Sequence, residues 1–470
     1  MSSLCLSLYP LHDTIAAVAT PPGQGGIGIV RVSGRDALGV LQTLLRDGDG
    51  KPPLFIPRVM RYGWVRSSSG EKLDEVLAVY MPGPASFTGE NVAEIHCHGG
   101  GGILAAVLAE TCRAGARVAE RGEFTYRAFA NGKLDLTKAE AVAEMIAAPA
   151  RQGVRLAQAK LSGMLGVIVI SLREKVEVLR SRVALAVDFP EEEAECLGVR
   201  HFMDILEELR EDIATLIAAY NRARLWREGA LVLLAGRVNM GKSSLLNALL
   251  GRNRAIVSAI PGTTRDIIEE YLNLDGLQVR LADTAGLRNS ADPVEMEGVS
   301  RALETAREAT LVALITDAAA PLSDEERTFI TTYRDKMFVV RNKLDMLPEE
   351  TQKSFLDEKT FEGCPSASVS AKTGLGLDAF AAALRQVILE QQECDEPEAG
   401  DIIPNARQRD LLTHALTEAD RLAEDIRAGM ACDLFSVRLD SIAAALDEIT
   451  GFSATDAILG RIFKDFCIGK

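Results

Sequence analysis

The first 130 residues contain short, mainly apolar stretches that are separated by turn-forming residues. These stretches predict strands over residues 14–19 and 27–32, on either side of a Pro-Gly turn at residues 21–26, and another strand over residues 74–81. A longer apolar stretch at helical spacing predicts a helix over residues 102–110. Strands mixed with helices favour a mixed α+β fold for this part of the chain.

After residue 134 the pattern changes to long stretches rich in Ala, Leu, Glu and Arg at helical spacing, which continue to about residue 226. A continuous apolar strand is predicted over residues 231–235, and strands then alternate with helices to about residue 393. A polar linker over residues 394–400 precedes helical sequence that begins at residue 405. Because the α/β block separates two helical blocks, we predict that it is inserted into one helical domain.

The predicted fold class is therefore a multidomain α/β and α chain. It has an N-terminal mixed α+β domain, a discontinuous helical domain and an inserted α/β domain. The predicted boundaries are 1–130 for the N-terminal domain, 131–226 and 394–470 for the two helical segments, and 227–393 for the inserted domain.

Charge is distributed unevenly along the 470 residues, which carry 52 basic and 67 acidic side chains for a formal net charge of −15. Residues 1–130 contain 12 of each sign, so the whole acidic excess follows them. An acidic body binds phosphate backbones poorly, so contact with a nucleic acid needs a local basic patch or a partner that supplies one.

The eight cysteines are scattered and form no C-x-x-C pair, which favours reduced thiols. No apolar run approaches the roughly 18 residues that a membrane-spanning helix needs. We therefore expect a cytoplasmic protein that does not enter a membrane.

A glycine-rich motif follows the apolar strand. Residues 236–243 have the pattern G-x-x-x-x-G-K-S, and a helix is predicted over residues 244–250, with Gly251 as its end. The glycines let backbone N–H groups face phosphates at a helix N-terminus. In this pattern Lys242 reaches the β- and γ-phosphates, and the Ser243 hydroxyl binds Mg²⁺.

Two more motifs follow predicted strands in the same block. Residues 283–286 (Asp-Thr-Ala-Gly) come after a strand over 277–282, which brings Asp283 to a strand end near the Mg²⁺ ligands. Residues 342–345 (Asn-Lys-Leu-Asp) follow a strand over 337–340. The last residue of that motif can accept hydrogen bonds from two guanine N–H groups, which adenine does not offer together.

Residues 370–372 (Ser-Ala-Lys) supply a further loop over the base, and residues 262–266 (Gly-Thr-Thr-Arg-Asp) lie where a threonine reaches Mg²⁺ and the γ-phosphate. Five motifs in this order indicate a GTPase domain of the Ras-like P-loop class.

Leu287, however, lies where Ras-like enzymes have a glutamine that orients the attacking water. Either hydrolysis is very slow or another polar group acts; the candidates are Arg288, Asp292, Glu295 and Glu297.

Two patterns near the N-terminus imitate other sites. Residues 23–28 match G-x-G-x-x-G, but a strand rather than a helix follows, which argues against a dinucleotide site. His96, Cys97 and His98 could suggest zinc, but alternation on a strand turns Cys97 away from the two imidazoles. We expect packed or polar residues there rather than a metal ligand set.

The whole chain resembles the MnmE (TrmE) family of tRNA-modifying GTPases. Besides the nucleotide motifs, the resemblance depends on residues 13–17, 20–23, 86–90, 98–100, 122–125, 131–136, 188–190, 460–463 and 467–470. It implies an N-terminal folate-binding and dimerising domain, a helical domain in two segments and an inserted Ras-like P-loop GTPase domain.

The resemblance also implies an activity, partners and cofactors. Members form homodimers and work on tRNA with an FAD-dependent partner, in a heterotetramer or larger complex. They add a carboxymethylaminomethyl or aminomethyl group at carbon five of the wobble uridine. The implied cofactors are Mg²⁺, K⁺ and formyl-tetrahydrofolate, with FAD held only by the partner.

The folate ligands implied by the resemblance are Arg31, Glu94, Lys133 and Lys470. Cys467 is implied to lie close to the folate as a catalytic residue. Two interpretations of this thiol stay open: a nucleophile or proton donor, or a small packed residue.

In the GTPase domain the resemblance makes Asn239 a potassium ligand, with oxygen atoms of Ser258, Ile260 and Thr263. Glu295 aligns with the family's catalytic glutamate, which acts on the attacking water. This alignment explains how an apolar residue, Leu287, can replace the usual glutamine. The implied Mg²⁺ ligands are Ser243 and Thr264. The full nucleotide-binding set is Asn239, Met240, Gly241, Lys242, Ser243, Ser244, Ser258, Thr263, Thr264, Asp283, Thr284, Ala285, Gly286, Asn342, Lys343, Asp345, Ser370, Ala371 and Lys372.

Val238 and Met240 depart from the family, which commonly has a proline and a smaller residue at these positions. We expect altered stiffness of the phosphate loop rather than lost function. An alternative function from another class is a GTP-switched ribosome or assembly factor that acts as a binding module. Such a factor does not need the implied folate ligands or a thiol near the chain end.

Overall fold

The computed structural model describes residues 8–148, 151–189, 198–237, 239–253, 269–283, 306–392, 396, 401–464 and 466–469. The chain divides into two compact units, which are described separately. Unit 1 comprises Met1–Ala143, Lys160–Thr215 and Ala406–Lys470, and unit 2 comprises Glu144–Ala159 and Leu216–Asn405. The domain boundaries predicted at residues 130, 226 and 393 stay predictions.

The helices follow in chain order. They are α1 (Ala37–Leu44), α2 (Gly101–Arg113), α3 (Glu123–Ala130), α4 (Leu136–Ala147), α5 (Arg151–Leu161), α6 (Met164–Asp188), α7 (Val199–Arg222), α8 (Arg224–Glu228), α9 (Lys242–Asn253), α10 (Asp324–Thr332), α11 (Glu349–Asp357), α12 (Leu377–Gln391), α13 (Ala406–Arg427), α14 (Asp433–Thr450) and α15 (Asp456–Lys464).

Unit 1 contains a seven-stranded sheet in the order β3-β4-β5-β6-β2-β1-β7. Neighbouring strands pair antiparallel except β1 and β7, which are parallel. The strands are β1 (Ile15–Val18), β2 (Gly25–Ser33), β3 (Leu45–Arg46), β4 (Arg61–Arg66), β5 (Lys72–Met81), β6 (Val92–Gly99) and β7 (Arg117–Val118). The mixed α+β fold expected for this part of the chain is confirmed.

Alternation along the strands separates the two faces of this sheet. Val30 and Val32 of β2 and Ile95 of β6 are fully buried on one face, where they pack in one core with Leu41 of α1 and Val107 of α2. On the other face, helix α3 covers β1, and a smaller apolar cluster forms from Ile15, Ala17, Ala119 and Phe124.

The helical part of unit 1 joins segments that are far apart in sequence. Arg173 of α6 pairs with Asp447 of α14 at 3.0 Å, and Arg210 of α7 donates to Asp420 of α13 at 2.7 Å. The discontinuous helical domain of the predicted fold class is therefore observed as packing between the two segments.

Unit 2 contains a second seven-stranded sheet, in the order β13-β14-β12-β11-β8-β10-β9. The strands from β14 to β10 are parallel, and β13 and β9 pair antiparallel at the edges. The strands are β8 (Ala230–Ala235), β9 (Glu269–Leu274), β10 (Leu277–Asp283), β11 (Leu311–Asp317), β12 (Met337–Asn342), β13 (Thr360–Phe361) and β14 (Cys364–Ser368).

Both faces of the second sheet are buried, so β8 is apolar at nearly every position. Val232 and Leu234 point to a core shared with Leu245 of α9, and Leu233 points to the opposite core with Ile330 of α10. Helices on both faces of a mostly parallel sheet place loop residues at the carboxyl ends of the strands, where ligands of such folds bind.

One predicted end is wrong: helix α9 continues to Asn253, beyond Gly251. A Cβ built on Gly251 would meet nothing within 4 Å, so this glycine sits in open space and the helix runs through it. Among the described residues no single helix combines the length and apolar composition needed to cross a bilayer. Gln152–Leu161 and Met164–Asp188 pass that test only together, as a bent pair.

Candidate nucleotide and cofactor sites

The phosphate loop lies between β8 and the first turn of α9. Lys242 is the first residue of α9, and its Nζ donates to the carbonyl oxygens of Gly236 at 2.7 Å and Arg237 at 2.9 Å. The loop therefore curls around its own lysine. Ser243 and Ser244, in the same first turn, are exposed. The N-terminus of a helix, a buried ammonium and exposed hydroxyls form an arrangement that suits a phosphate group.

Gly241 is required by close packing at the end of this loop. Its φ is 88°, and a Cβ built on it would lie 2.3 Å from Asn342 Nδ2. Any side chain would thus meet both backbone strain and a clash. Asn239 also has a positive φ of 66°, a conformation that asparagine tolerates better than most residues.

Asn342 connects the phosphate loop to the loop after β14. It is 2% exposed, its Nδ2 donates to the Met240 carbonyl at 2.8 Å, and its Oδ1 accepts from the Ala371 N–H at 3.0 Å. Three motifs, separated by 102 and 29 positions of sequence at these contacts, thus meet at one edge of the sheet.

Asp345 and Ser370 form the neighbouring part of this site. Ser370 Oγ donates to Asp345 Oδ1 at 2.6 Å, which leaves the second carboxylate oxygen available for a ligand. Lys343 pairs with Asp317 of β11 at 2.8 Å, whereas Lys372 is exposed. Burial raises the pKa of Asp317, but hydrogen bonds from Lys343 and the Ala319 N–H lower it by more, so the pKa lies below its ordinary value.

Several predicted residues of this site lie outside the described residues. Asp283 is the last residue of β10, where its Cα pairs with Leu234 of β8, as the strand-end prediction requires. The residues outside the description are Val238, Ser258, Ile260, Thr263, Thr264, Thr284, Ala285, Gly286 and Glu295.

A second site in unit 1 forms around Arg31 of β2. Its Nε donates to Glu94 Oε1 of the neighbouring strand β6 at 2.9 Å. Its Nη1 donates to the carbonyl of Gly469 at 3.3 Å, across 438 positions of sequence. The rings of Phe87 and Phe124 lie 5.9 and 6.0 Å from its guanidinium carbon. Arg31 and Glu94, two of the implied folate ligands, therefore lie beside Gly469 of the C-terminal motif (residues 467–470).

The C-terminal motif is seated tightly against β1. Gly469 has a φ of 89°, and a Cβ built on it would lie 2.4 Å from the Val18 carbonyl oxygen. Arg121 Nε donates to the Phe466 carbonyl at 3.1 Å. Between these two anchors Cys467 is an exposed free thiol. Lys470 lies outside the described residues.

Lys133 lies next to the loop of residues 86–90. The Gly89 backbone is so close that a Cβ there would be 3.1 Å from Lys133 Cγ, and Asn131 Nδ2 donates to the Thr88 carbonyl at 2.8 Å. Lys133 is itself exposed. An exposed cation, the accessible ring of Phe87 and a partly accessible Glu94 carboxylate fit a flat heterocycle with N–H donors and an anionic tail, as in a folate.

Sequence reasoning missed the ion pairs that surround Arg127 of α3. This arginine is fully buried and binds Asp13 Oδ1 at 2.5 Å, Glu90 Oε2 at 3.2 Å and Glu123 Oε1 at 3.1 Å. Burial raises the pKa of Asp13, but hydrogen bonds from Arg117 and Arg127 lower it by more. The i, i+4 spacing of Glu123 and Arg127 was the only local signal.

Cys97 lies on the opposite face of β6 from His96 and His98, as the alternation predicts. Cys97 is buried, and burial together with nearby Asp74 raises its pKa to about 12. His98 is exposed, with Nδ1 2.6 Å from Asp74 Oδ1, and His96 Nε2 lies 3.3 Å from Glu94 Oε2. Each imidazole thus has a carboxylate neighbour.

Comparison with known proteins covers nearly the whole chain. A family model described as "MnmE helical domain" matches residues 136–467, and one described as "GTP-binding protein TrmE N-terminus" matches residues 14–133. Among solved structures, the G domain of the T. maritima FeoB iron transporter is 26% identical over a match that covers 34% of this chain and 98% of that chain, with a TM-score of 0.24.

Three curated proteins named tRNA modification GTPase MnmE match at full length. That of Nitratidesulfovibrio vulgaris is 53% identical over 459 residues, covering 97% of this chain and 99% of its own. That of Lawsonia intracellularis is 44% identical, covering 97% and 100%, and that of Moorella thermoacetica is 43% identical, covering 98% and 100%. Since the nucleotide motifs meet at one sheet edge and these matches span both units, the chain belongs to the MnmE family of tRNA modification GTPases.

Proposed function

We propose that this chain is a potassium-dependent GTPase that modifies the wobble uridine of certain tRNAs at carbon five. In this proposal it acts as a homodimer with an FAD-dependent partner and binds Mg²⁺ and a formyl-tetrahydrofolate. The group that it helps to add is carboxymethylaminomethyl or aminomethyl. The supporting observations come from both units.

In unit 2 the guanine base is assigned to Asp345. Its Oδ1 is engaged by Ser370, so the carboxylate is oriented before a ligand arrives. Such preorganisation lowers the cost of binding. We assign the phosphates to Lys242 and the first turn of α9. There Ser243 would bind Mg²⁺, and the ion would screen the negative charge of the phosphates. We assign Thr264 to the same ion.

For hydrolysis we propose that K⁺ occupies the place of an arginine finger, held by Asn239 and by oxygen atoms of Ser258, Ile260 and Thr263. A cation there stabilises charge on the transferring phosphate. Glu295 would orient the attacking water, a role that Leu287 cannot perform. If so, GTP is hydrolysed faster in K⁺ than in Na⁺. The Glu295→Ala variant should bind nucleotide with unchanged affinity but should no longer hydrolyse it.

For the cofactor, the single observation that carries the proposal is the position of Arg31 between the Glu94 carboxylate and the Gly469 carbonyl. A purely GTP-switched assembly factor has no need to hold its C-terminal motif against a sheet in this way. When bound, a formyl-tetrahydrofolate supplies a one-carbon unit. Arg31, Glu94, Lys133 and Lys470 would bind and orient it, with the Cys467 thiol nearby.

Mass spectrometry of bulk tRNA nucleosides from a deletion strain tests the proposal. We expect the modified wobble uridine to disappear and to return when the wild-type gene is supplied. A gene that encodes the Asp345→Asn variant should not restore the modified uridine. A gene that encodes Asp378→Asn, the control on the exposed surface, should restore it. An unchanged nucleoside profile in the deletion strain would favour the assembly-factor alternative.

A further inference from the structure

The loop of residues 86–90 contacts two of the cations assigned to the cofactor. Phe87 approaches the Arg31 guanidinium, with its ring centroid 5.9 Å away, and Gly89 packs against the Lys133 side chain. Arg31 belongs to β2, whereas Lys133 follows α3, so the two cations come from separate elements. The conformation of the loop therefore sets how they are spaced around a ligand.

Glu90 ties this loop to the interior of unit 1. Its Oε2 accepts from Ser33 Oγ at 2.8 Å and from Arg127 Nη1 at 3.2 Å. Ser33 Oγ is also 2.7 Å from Thr88 Oγ1, and the Glu90 N–H donates to the same hydroxyl at 3.2 Å. Ser33, Thr88 and Arg127 are fully buried, so these hydrogen bonds do not compete with water.

The charges around Arg127 show that Glu90 is not needed to neutralise it. Arg117 and Arg127 already face the carboxylates of Asp13 and Glu123, at 2.5 to 3.1 Å. Without the charge of Glu90 the cluster still has two guanidinium groups and two carboxylates. Loss of that charge should therefore release the loop more than it unfolds the unit.

We propose that Glu90 is a positioning residue for the cofactor site. Through Arg127 and Ser33 it holds the 86–90 loop in the conformation that brings Phe87 and Lys133 to the ligand. This inference rests on the proposed function, in which a tetrahydrofolate derivative binds beside Arg31. If the loop leaves this conformation, the apparent affinity becomes the intrinsic affinity multiplied by the fraction of time that the loop spends in it.

Calorimetric titration of the full chain with 5-formyltetrahydrofolate tests the proposal. A loop that is competent about a tenth of the time raises Kd about tenfold, which is the expectation for Glu90→Gln. Glu90→Asp keeps the charge and should recover part of the affinity. The matched control is Glu110→Gln, which alters a buried glutamate of the same unit that pairs with Arg113 and does not contact the loop.

Hydrogen–deuterium exchange over residues 82–91 gives a second measurement without ligand. Faster exchange confined to this segment in Glu90→Gln, with wild-type exchange in Glu110→Gln, supports a positioning role. Wild-type Kd and exchange in Glu90→Gln would overturn this inference alone. A wild-type chain that does not bind 5-formyltetrahydrofolate would overturn both this inference and the cofactor part of the proposed function.

Discussion

In the proposed nucleotide site a single side chain, Asp345, selects the base. Asp345→Asn turns an acceptor into a donor that faces the guanine N–H groups, and leaving these groups unpaired costs about 1–3 kcal/mol. We expect weaker GTP binding with partial recovery by xanthosine triphosphate, measured by competition with a fluorescent nucleotide. Asp378→Asn, which removes a surface carboxylate paired with Arg252, should bind GTP as the wild type does. Equal GTP affinity in both variants would mean that Asp345 does not read the base.

The thiols of unit 1 differ in reactivity for a physical reason. Only the thiolate reacts readily with alkylating reagents, and burial raises the pKa of Cys97 to about 12, whereas Cys467 is exposed. Brief treatment of the native chain with iodoacetamide at pH 8 should modify Cys467 and spare Cys97, as measured by peptide mass spectrometry. Both should react in denaturant. Preferential native labelling of Cys97 would contradict the buried position.

Neighbouring strands β5 and β6 are joined by a contact that depends on pH. The hydrogen bond and the charge of Asp74 raise the pKa of His98 above its ordinary value. Protonated His98 therefore stabilises the fold fully below about pH 6.5, and this contribution is lost as the pH rises through the raised pKa. Titration by NMR should show the raised pKa, and Asp74→Asn should return it towards the ordinary value. A titration unaffected by Asp74→Asn would rule out the pair.

The C-terminal motif tests how closely an element must fit the strand beneath it. Gly469→Ala should displace the motif from β1, because the added Cβ would lie 2.4 Å from the Val18 carbonyl. Gly429→Ala is the matched control: its φ of 69° gives similar backbone strain, but a Cβ there meets nothing within 4 Å. We expect weaker 5-formyltetrahydrofolate binding in Gly469→Ala alone. If both variants lose binding equally, backbone strain rather than the contact with the Val18 carbonyl explains the loss.

For the molecule as a whole, the proposed cofactor site and the proposed nucleotide site lie in different units. The described part of the C-terminal motif lies in unit 1, and the described nucleotide motifs lie in unit 2. Removing residues 467–470 should therefore abolish wobble-uridine modification and leave GTP hydrolysis largely intact. Parallel assays of phosphate release and tRNA nucleosides measure this. Loss of GTP hydrolysis would mean that the motif supports the structure of the entire chain.

Cys467→Ser then distinguishes the two interpretations of the thiol, because it keeps size and weak polarity but removes thiolate chemistry. Full modification activity in this variant would reject a chemical role and leave a packing role. Loss of modification with an intact GTPase rate would support the chemical one.

Local sequence was enough for the features that depend on neighbouring residues. A continuous apolar run and the phosphate-loop pattern predicted β8, the loop and α9, because a buried strand and a helix N-terminus are each encoded by residues that are close together in sequence. The end of α9 was the exception. A glycine weakens a helix by only about 1 kcal/mol, so Gly251 did not stop it.

Tertiary structure alone decided which distant residues meet. Arg31 lies 438 positions from Gly469, and Asn342 lies 102 positions from Met240, yet each pair is joined by a hydrogen bond. Arg127 is fully buried only because α3, the residue 8–13 segment and the 86–90 loop pack around it. Nothing local requires these contacts. They form because burying the apolar faces of strands and helices brings the segments together, and a charge that is buried in this way must find partners.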